Sequence, residues 1–125
     1  MVDCKDYKKG RCLGNNKKTM SIMKKEKIYI SGAISHHDIS ERKAAFSAAA
    51  RFLSLKGYEA VNPFDNGVSD DADWREHMRA DIRMLVDCDG IYMLEGWEQS
   101  KGAKLEFDVA TSCGLEPMFE EREHV

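Results

Sequence analysis

One carboxylate of this chain lies where a solvated side chain is not expected. The stretch Lys101–Cys113 predicts a helix, whose successive residues lie about 100° apart around the axis. On this wheel the polar residues gather on one arc, and Glu106 falls at the middle of the opposite, apolar arc. Burying a carboxylate costs free energy unless the group is paired or has a function. The wheel alone leaves Glu106 as either a catalytic group or half of a structural ion pair.

A second carboxylate lies on the preceding predicted helix, within "DADWREHMRADIRMLVDCDG". Asp81 falls at the edge of the apolar side, and His77, one turn earlier, is placed to pair with it. A plain surface pair would explain these two residues alone, but two helices with inward carboxylates indicate a shared site. Paired carboxylates can divide nucleophilic and orienting or acid roles at a sugar C–N bond, as they do at glycosidic C–O bonds.

Two predicted strand-to-helix turns carry small polar residues. They are Ser31–Gly32–Ala33 and Ser100–Lys101–Gly102. Backbone N–H groups and a Ser hydroxyl at a helix N-terminus form an anion site, although Ser100 also fits a simple N-cap. The first turn, in "SGAIS", has neither the glycine pattern of a dinucleotide site nor the Lys of a P-loop. Tyr29 and Trp97, at strand ends, are candidates to stack on a base or to pack at the rim.

The elements that position these residues alternate between strand and helix patterns. Strands are predicted at Lys27–Ser31, Tyr58–Pro63 and Gly90–Leu94, with a fourth in "EPMFE". The helix after the first strand begins at Asp38 or Ser40 and stops at Gly57. Strands separated by helices predict a flavodoxin- or Rossmann-like α/β fold, with a parallel sheet of four to five strands covered on both faces. Such sheets bind ligands at the carboxyl ends of their strands.

Charge divides the chain into two parts. Met1–Lys27 has nine Lys or Arg against three Asp or Glu, a net of +6, and Ile28–Val125 has ten against nineteen, a net of −9. We expect residues 1–26 to be a basic, disordered leader and residues 27–125 to be one domain. The acidic domain gives little support for nucleic-acid binding. Without an apolar span or signal sequence, the prediction is a cytoplasmic protein without a membrane partner.

Cysteines and histidines do not predict a metal site. "CKDYKKGRC" resembles half of a zinc finger, but no matching ligands follow at the required spacing. The adjacent His36 and His37 lack a third spaced ligand and are interpreted as loop residues. Cys88 and Cys113 are expected to be reduced thiols in the core.

Together these residues resemble the nucleoside 2-deoxyribosyltransferase-like superfamily. The matching segments are "YISG" at Tyr29–Gly32, "NP" at Asn62–Pro63, "ADIRMLVDCDGIYML" at Ala80–Leu94 and "GWEQSKGAKLEFDVA" at Gly96–Ala110. They span about Lys27–Pro117, nearly the whole predicted domain. Within the superfamily the chain is most similar to a small branch of uncharacterised phage- or bacteria-encoded domains related to nucleoside-monophosphate N-hydrolases.

The resemblance implies a flavodoxin-like fold and cleavage of an N-glycosidic bond without a metal or organic cofactor. Glu106 matches the superfamily's nucleophile, and Asp81 matches the Asp that holds the nucleophile or the substrate. Tyr29 matches a first-strand Tyr near the sugar. The superfamily usually builds its pocket across a subunit interface, so the resemblance also implies a homo-oligomer, a dimer or larger.

One departure concerns the residue six positions before the nucleophile. Free-nucleoside transferases of the superfamily have an Asp there, whereas this chain has Ser100, as the monophosphate hydrolases do, where that Ser binds the 5′-phosphate. The resemblance therefore implies a (deoxy)ribonucleoside 5′-monophosphate, hydrolysed through a covalent glycosyl intermediate on Glu106. Ser31, Gly32, Ala33, Ser100 and Gly102 would line the phosphate site. The alternatives are base exchange between deoxynucleosides and a non-catalytic nucleotide-binding module.

Overall fold

A four-stranded parallel sheet organises the protein. The computed structural model describes residues 25–121. The strands are β1 (Lys27–Ser31), β2 (Glu59–Val61), β3 (Gly90–Met93) and β4 (Glu116–Phe119), in the order β2-β1-β3-β4. From β1 the chain passes to β2 at one edge of the sheet, and from β3 it passes to β4 at the opposite edge. The carboxyl ends of these two central strands therefore flank the crevice where such sheets bind ligands.

Over residues 25–121 three α-helices cover the sheet, with α1 (Ile39–Leu55) on one face and α2 (Trp74–Val86) and α3 (Lys101–Ser112) on the other. Alternate residues of β1 point to opposite faces. Ile28 and Ile30 belong to the cluster that contains the α1 residues. Tyr29 belongs to the cluster that contains α2 and α3 residues. The predicted α/β fold is confirmed, with four strands and helices on both faces of the sheet.

The predicted boundaries hold with local differences. Asp38 is the N-cap of α1, because its side chain accepts a hydrogen bond from Glu41 N–H. Strand β2 is shorter than predicted, since Pro63 already begins a 3₁₀ turn, Pro63–Asp65. On the helical wheel Leu105 falls on the apolar arc of α3, yet it is 42% exposed in the structure. The buried residues of α3 are instead Ala103, Glu106 and Ala110, a narrower stripe.

Some of the sequence predictions fall outside the structure. The leader predicted at residues 1–26 lies almost entirely outside the described residues, as do Cys4 and Cys12. Cys88 is a buried free thiol, as expected, and Cys113 is half-buried at the end of α3. Over residues 25–121, none of the helices combines the length and the apolar character that crossing a bilayer requires.

Gly90 is required for the close packing of β1, β3 and β4. A Cβ added there would lie 2.9 Å from Ile28 Cδ1 and 3.0 Å from the backbone oxygen of Glu116, which cannot move away without disturbing the sheet. We expect Gly90→Ala to lower the free energy of unfolding by about 1–3 kcal/mol, the usual cost of overpacking. Urea denaturation measures this loss. Gly102→Ala is the control, because its nearest neighbour at 3.3 Å is the flexible Met78 sulfur; equal losses in both variants would contradict the prediction.

Candidate active site

Glu106 is buried, with 5% of its surface exposed, and it faces β1. The Tyr29 hydroxyl donates to Oε2 over 2.8 Å, and the Ser31 hydroxyl donates to Oε1 over 2.6 Å. Tyr29 and Ser31 are two residues apart on one strand, so both side chains leave the same face of the sheet. Two neutral hydroxyl groups thus hold the carboxylate in place. No Lys or Arg side chain forms an ion pair with Glu106 in the described part of the chain.

Burial dominates the electrostatics of this carboxyl. It raises the pKa of Glu106 to about 7, although the hydrogen bonds from Ser31 and Tyr29 lower it; the nearby Asp81 charge adds to the rise. Each carboxylate oxygen accepts one of these hydrogen bonds and keeps a second lone pair. Near neutral pH a substantial share of the molecules therefore has an ionised Glu106 with electron pairs free to attack a substrate.

Tyr29 is a donor that stays protonated. Burial raises the pKa of its hydroxyl well above the ordinary value, and the negative charges of Glu106 and Asp81 raise it further. A protonated phenol donates a hydrogen bond to the carboxylate and can redirect it when the charge on Glu106 disappears. The strand Tyr expected near the sugar therefore contacts the candidate nucleophile directly.

Glu106 and Asp81 line one cavity of about 500 Å³. Glu106, Ala103, Gly102 and Ser100 form its wall on α3, and Asp81, Met78, His77 and Trp74 form its wall on α2. Apolar residues from the segments after β1 and β2 and from α1 close the other side; they are Ile34, Ile39, Phe46, Pro63, Phe64 and Val68. The volume fits a small organic ligand, and the mixture of a few polar groups with apolar walls is typical of such sites.

Asp81 is also buried, with 6% exposure, and Asn66 Nδ2 donates to its Oδ1 over 2.8 Å. Burial raises the pKa of Asp81, while the hydrogen bond from Asn66 and the proximity of His77 lower it. The predicted His77–Asp81 partnership takes a different form: the same Asn66 nitrogen lies 3.2 Å from His77 Nδ1. Asn66 therefore links the two residues.

Ser100 is the N-cap of α3 and also lines the cavity. Its Oγ accepts a hydrogen bond from Ala103 N–H over 3.1 Å, which is the simple capping role. The hydroxyl proton remains available to donate to a ligand. Gly102 and Gly32 line the same cavity, and the N-terminus of α3 adds the partial positive charge of its free N–H groups. Capping and anion binding are compatible here.

The structure does not bring every candidate residue to the cavity. Ser31 is fully buried and its hydroxyl is bonded to Glu106, so it positions the carboxylate instead of facing a phosphate. Ala33 is buried, and its carbonyl accepts a hydrogen bond from Arg42 Nε. Trp97 is not among the residues that line the cavity. It packs on the Phe107 ring at 4.8 Å and near Phe119, because the short 3₁₀ turn after β3 directs it into this aromatic group.

Two cavity residues were missed from the sequence. On the helical wheel Trp74 falls on the apolar side of α2, yet it is 39% exposed, lines the cavity and lies beneath the Lys101 ammonium at 4.8 Å. Asn66 was not singled out, although its segment follows β2 at the carboxyl edge of the sheet. The Asn-Gly pair in "NPFDNG" is typical of a turn, but this local pattern does not predict the contact of Asn66 with α2.

Comparison with known proteins adds a family and a fold. A family model described as "Domain of unknown function (DUF4406)" matches residues 26–119. A search of curated proteins gave no match. Among solved structures, the chain is similar to the Clostridium botulinum CMP N-glycosidase BcmB, with a TM-score of 0.54 and 19% identity over 75% of this chain and 70% of that one. This likeness agrees with the predicted superfamily at the level of the fold, and the branch within it stays a prediction.

Proposed function

The chain belongs to the DUF4406 family, and we propose that it is an enzyme that cleaves the N-glycosidic bond of a (deoxy)ribonucleoside 5′-monophosphate. The observation that carries this proposal is Glu106, a buried carboxylate held by two hydroxyl groups at the wall of a cavity. A group desolvated in this way and left without a cationic partner opposes folding, which is expected when function requires it. The CMP N-glycosidase that shares the fold supports the same class of reaction.

The reaction proceeds in two displacements. The Glu106 carboxylate attacks the anomeric carbon, and the C–N bond breaks with its electron pair moving to the base, which takes up a proton from solvent. The covalent product is a glycosyl ester. Water then attacks the same carbon and loses a proton to solvent, which releases the sugar phosphate and restores the carboxylate. Tyr29 and Ser31 orient Glu106 throughout, and Asp81 orients Glu106 and the substrate from α2.

We assign the 5′-phosphate to the N-terminus of α3. Ser100 has a proton to donate, and the first N–H groups of the helix favour an anion. Gly102 leaves room for a phosphate to approach the backbone, and Gly32 lies on the same cavity wall. The attraction between the N-terminus of α3 and the phosphate also offsets the repulsion of an anionic ligand by Glu106 and Asp81. A cytoplasmic location and a homo-oligomeric state, both predicted from the sequence, belong to the same proposal.

Incubation with a panel of nucleosides and their 5′-monophosphates tests the function. The panel includes CMP, and chromatography measures release of the free base. Release from monophosphates alone supports the proposal. Release that requires an added free base and works with deoxynucleosides identifies base exchange instead. Binding of a monophosphate without any release identifies a non-catalytic nucleotide-binding module, and either of these results contradicts the proposed hydrolysis.

Ser100→Asp separates the capping role of Ser100 from the phosphate role. Asp is as good an N-cap as Ser, so we expect the melting temperature to stay within a few degrees. A negative charge at the phosphate position should raise KM for the monophosphate by at least about ten-fold, since like charges there repel by about 1.4 kcal/mol or more. The measurement is kcat and KM for a monophosphate and its parent nucleoside. An equal loss for both substrates would contradict the phosphate assignment.

A further inference from the structure

Asn66 has one possible orientation of its side-chain amide. Its Oδ1 accepts a hydrogen bond from the backbone N–H of Val68 over 2.8 Å. A backbone N–H can only donate, so the atom that faces it must be the amide oxygen. The amide nitrogen therefore faces α2, where it lies 2.8 Å from Asp81 Oδ1 and 3.2 Å from His77 Nδ1.

This orientation determines the state of the His77 ring. The Asn66 NH₂ group has two protons, one for the Asp81 oxygen and one for His77 Nδ1. Nδ1 can accept this hydrogen bond only if it has no proton of its own, so the ring carries its proton on Nε2 whenever the bond is made. If Nδ1 carried a proton, its N–H and the Asn66 N–H would point at each other and neither could accept. The remaining polar atom of the ring, Nε2, is then a hydrogen-bond donor.

His77 lies close to the reaction centre. Its Nδ1 and the Asp81 Oδ1 are no more than 6 Å apart, because both are within hydrogen-bond distance of the same nitrogen. Both residues line the cavity with Glu106, and Asp81 is near enough to raise the pKa of that carboxyl. The surrounding wall supplies apolar side chains such as Val68 and Phe64. A donor among apolar groups distinguishes ligands by whether they present an acceptor to it.

We propose that His77, held by Asn66 as the Nε2–H tautomer, is a specificity-determining residue that donates a hydrogen bond to the nucleobase. The inference rests on the proposed function for the identity of the ligand. Because His77 lies within about 6 Å of Asp81 and lines the same cavity as Glu106, we assign the acceptor to the base atom beside the glycosidic nitrogen: O2 of a pyrimidine or N3 of a purine. The hydrogen bond strengthens as negative charge builds on the departing base, so it also assists the bond cleavage.

The test uses pairs of nucleotides that differ at this acceptor. Purine monophosphates are compared with their 3-deaza analogues, and CMP is compared with 2-thiocytidine 5′-monophosphate. Binding is measured by calorimetry on Glu106→Gln, which removes turnover, with His77 intact or replaced by Phe or by Gln. We expect the natural nucleotide to bind about ten-fold more tightly than its analogue, the value of one net hydrogen bond. His77→Phe should reduce this ratio to near one, and His77→Gln, which keeps a donor, should restore much of it.

A second measurement does not depend on any nucleotide. The ¹⁵N shifts of the His77 ring report which nitrogen carries the proton, and we expect Nε2–H in the free protein. Asn66→Asp places an acceptor opposite Nδ1 and should move the proton to that nitrogen. Protonation of Nδ1 in the unmodified protein, or an analogue ratio unchanged by His77→Phe, overturns the proposal while leaving the proposed function intact. Normal analogue ratios without base release from the unmodified protein overturn the proposed hydrolysis and support recognition by His77.

Discussion

Replacement of Glu106 by Gln should lower the rate of base release by roughly a thousandfold or more, as the loss of a nucleophile does in other enzymes that form covalent intermediates. Gln keeps the shape of the side chain, and its amide can still bond to the Ser31 and Tyr29 hydroxyls after one of them turns to accept. Only the attacking charge is lost. Binding of the nucleotide should therefore stay within a few-fold of the original value.

The matched control is Asp108→Asn, the same kind of change on an exposed residue of the same helix. It should leave both rate and affinity unchanged. Rates are measured by chromatography of the free base, and affinities by calorimetry under the same conditions. Normal turnover by Glu106→Gln would show that the nucleophile lies elsewhere. The rate of base release by the unmodified enzyme should also rise with pH through about 7, because the ionised Glu106 is the attacking form.

The same substitution should stabilise the fold, by an amount that depends on pH. Glu106 has an ordinary pKa of 4.5 and a pKa of about 7 in the folded protein. Between these values the unfolded chain ionises Glu106 while the folded protein keeps it protonated, so the free energy of unfolding falls as pH rises. The fall is about 3 kcal/mol over the window, since each unit of pKa difference contributes about 1.4 kcal/mol. Gln does not titrate, so the free energy of unfolding of the variant does not undergo this fall.

Urea denaturation at a series of pH values from 4 to 8 measures the effect. We expect the free energy of unfolding of Glu106→Gln, relative to the unmodified protein, to increase from pH 4.5 to about 7 and to be constant outside this window. Asp81 titrates in both proteins, so most of its contribution cancels in the difference. A constant difference over the whole series would mean that Glu106 ionises normally in the fold. A variant less stable over the whole series would instead indicate that the hydrogen bonds of Glu106 to Tyr29 and Ser31 stabilise the fold by more than burial of the carboxylate destabilises it.

The sequence predicts the inward carboxylates well, because helical periodicity alone decides which way Glu106 and Asp81 point. It also predicts the layered fold, since alternating strands and helices leave few other arrangements. Contacts between distant segments are a different matter. The hydrogen bonds of Glu106 to Tyr29 and Ser31 depend on how α3 is placed against β1, and no local pattern encodes that placement. Ser31 was therefore predicted to bind phosphate, although its hydroxyl is bonded to the carboxylate.

Trp97 and Asn66 are two further examples of residues whose contacts the local sequence pattern does not predict. The position of Trp97 at a strand end allows either base stacking or packing at the rim, and packing against Phe107 determines where its ring lies. Asn66 lies in a segment with an ordinary turn pattern, and its contacts with His77 and Asp81 come from the docking of that segment on α2. Local propensity fixes the elements, whereas tertiary packing decides which of their polar atoms meet.

The long sequence separation within the site has a consequence for how the protein opens and closes. Glu106 lies 77 residues from Tyr29 and 75 from Ser31, so the hydrogen bonds that hold it close a large part of the chain. Glu106 is in position only while α3 packs against β1, and partial unfolding of either element breaks the hydrogen bonds that hold it. A bound nucleotide therefore stabilises both elements together, and amide protons in β1 and α3 should exchange more slowly as a single cooperative unit when ligand is added.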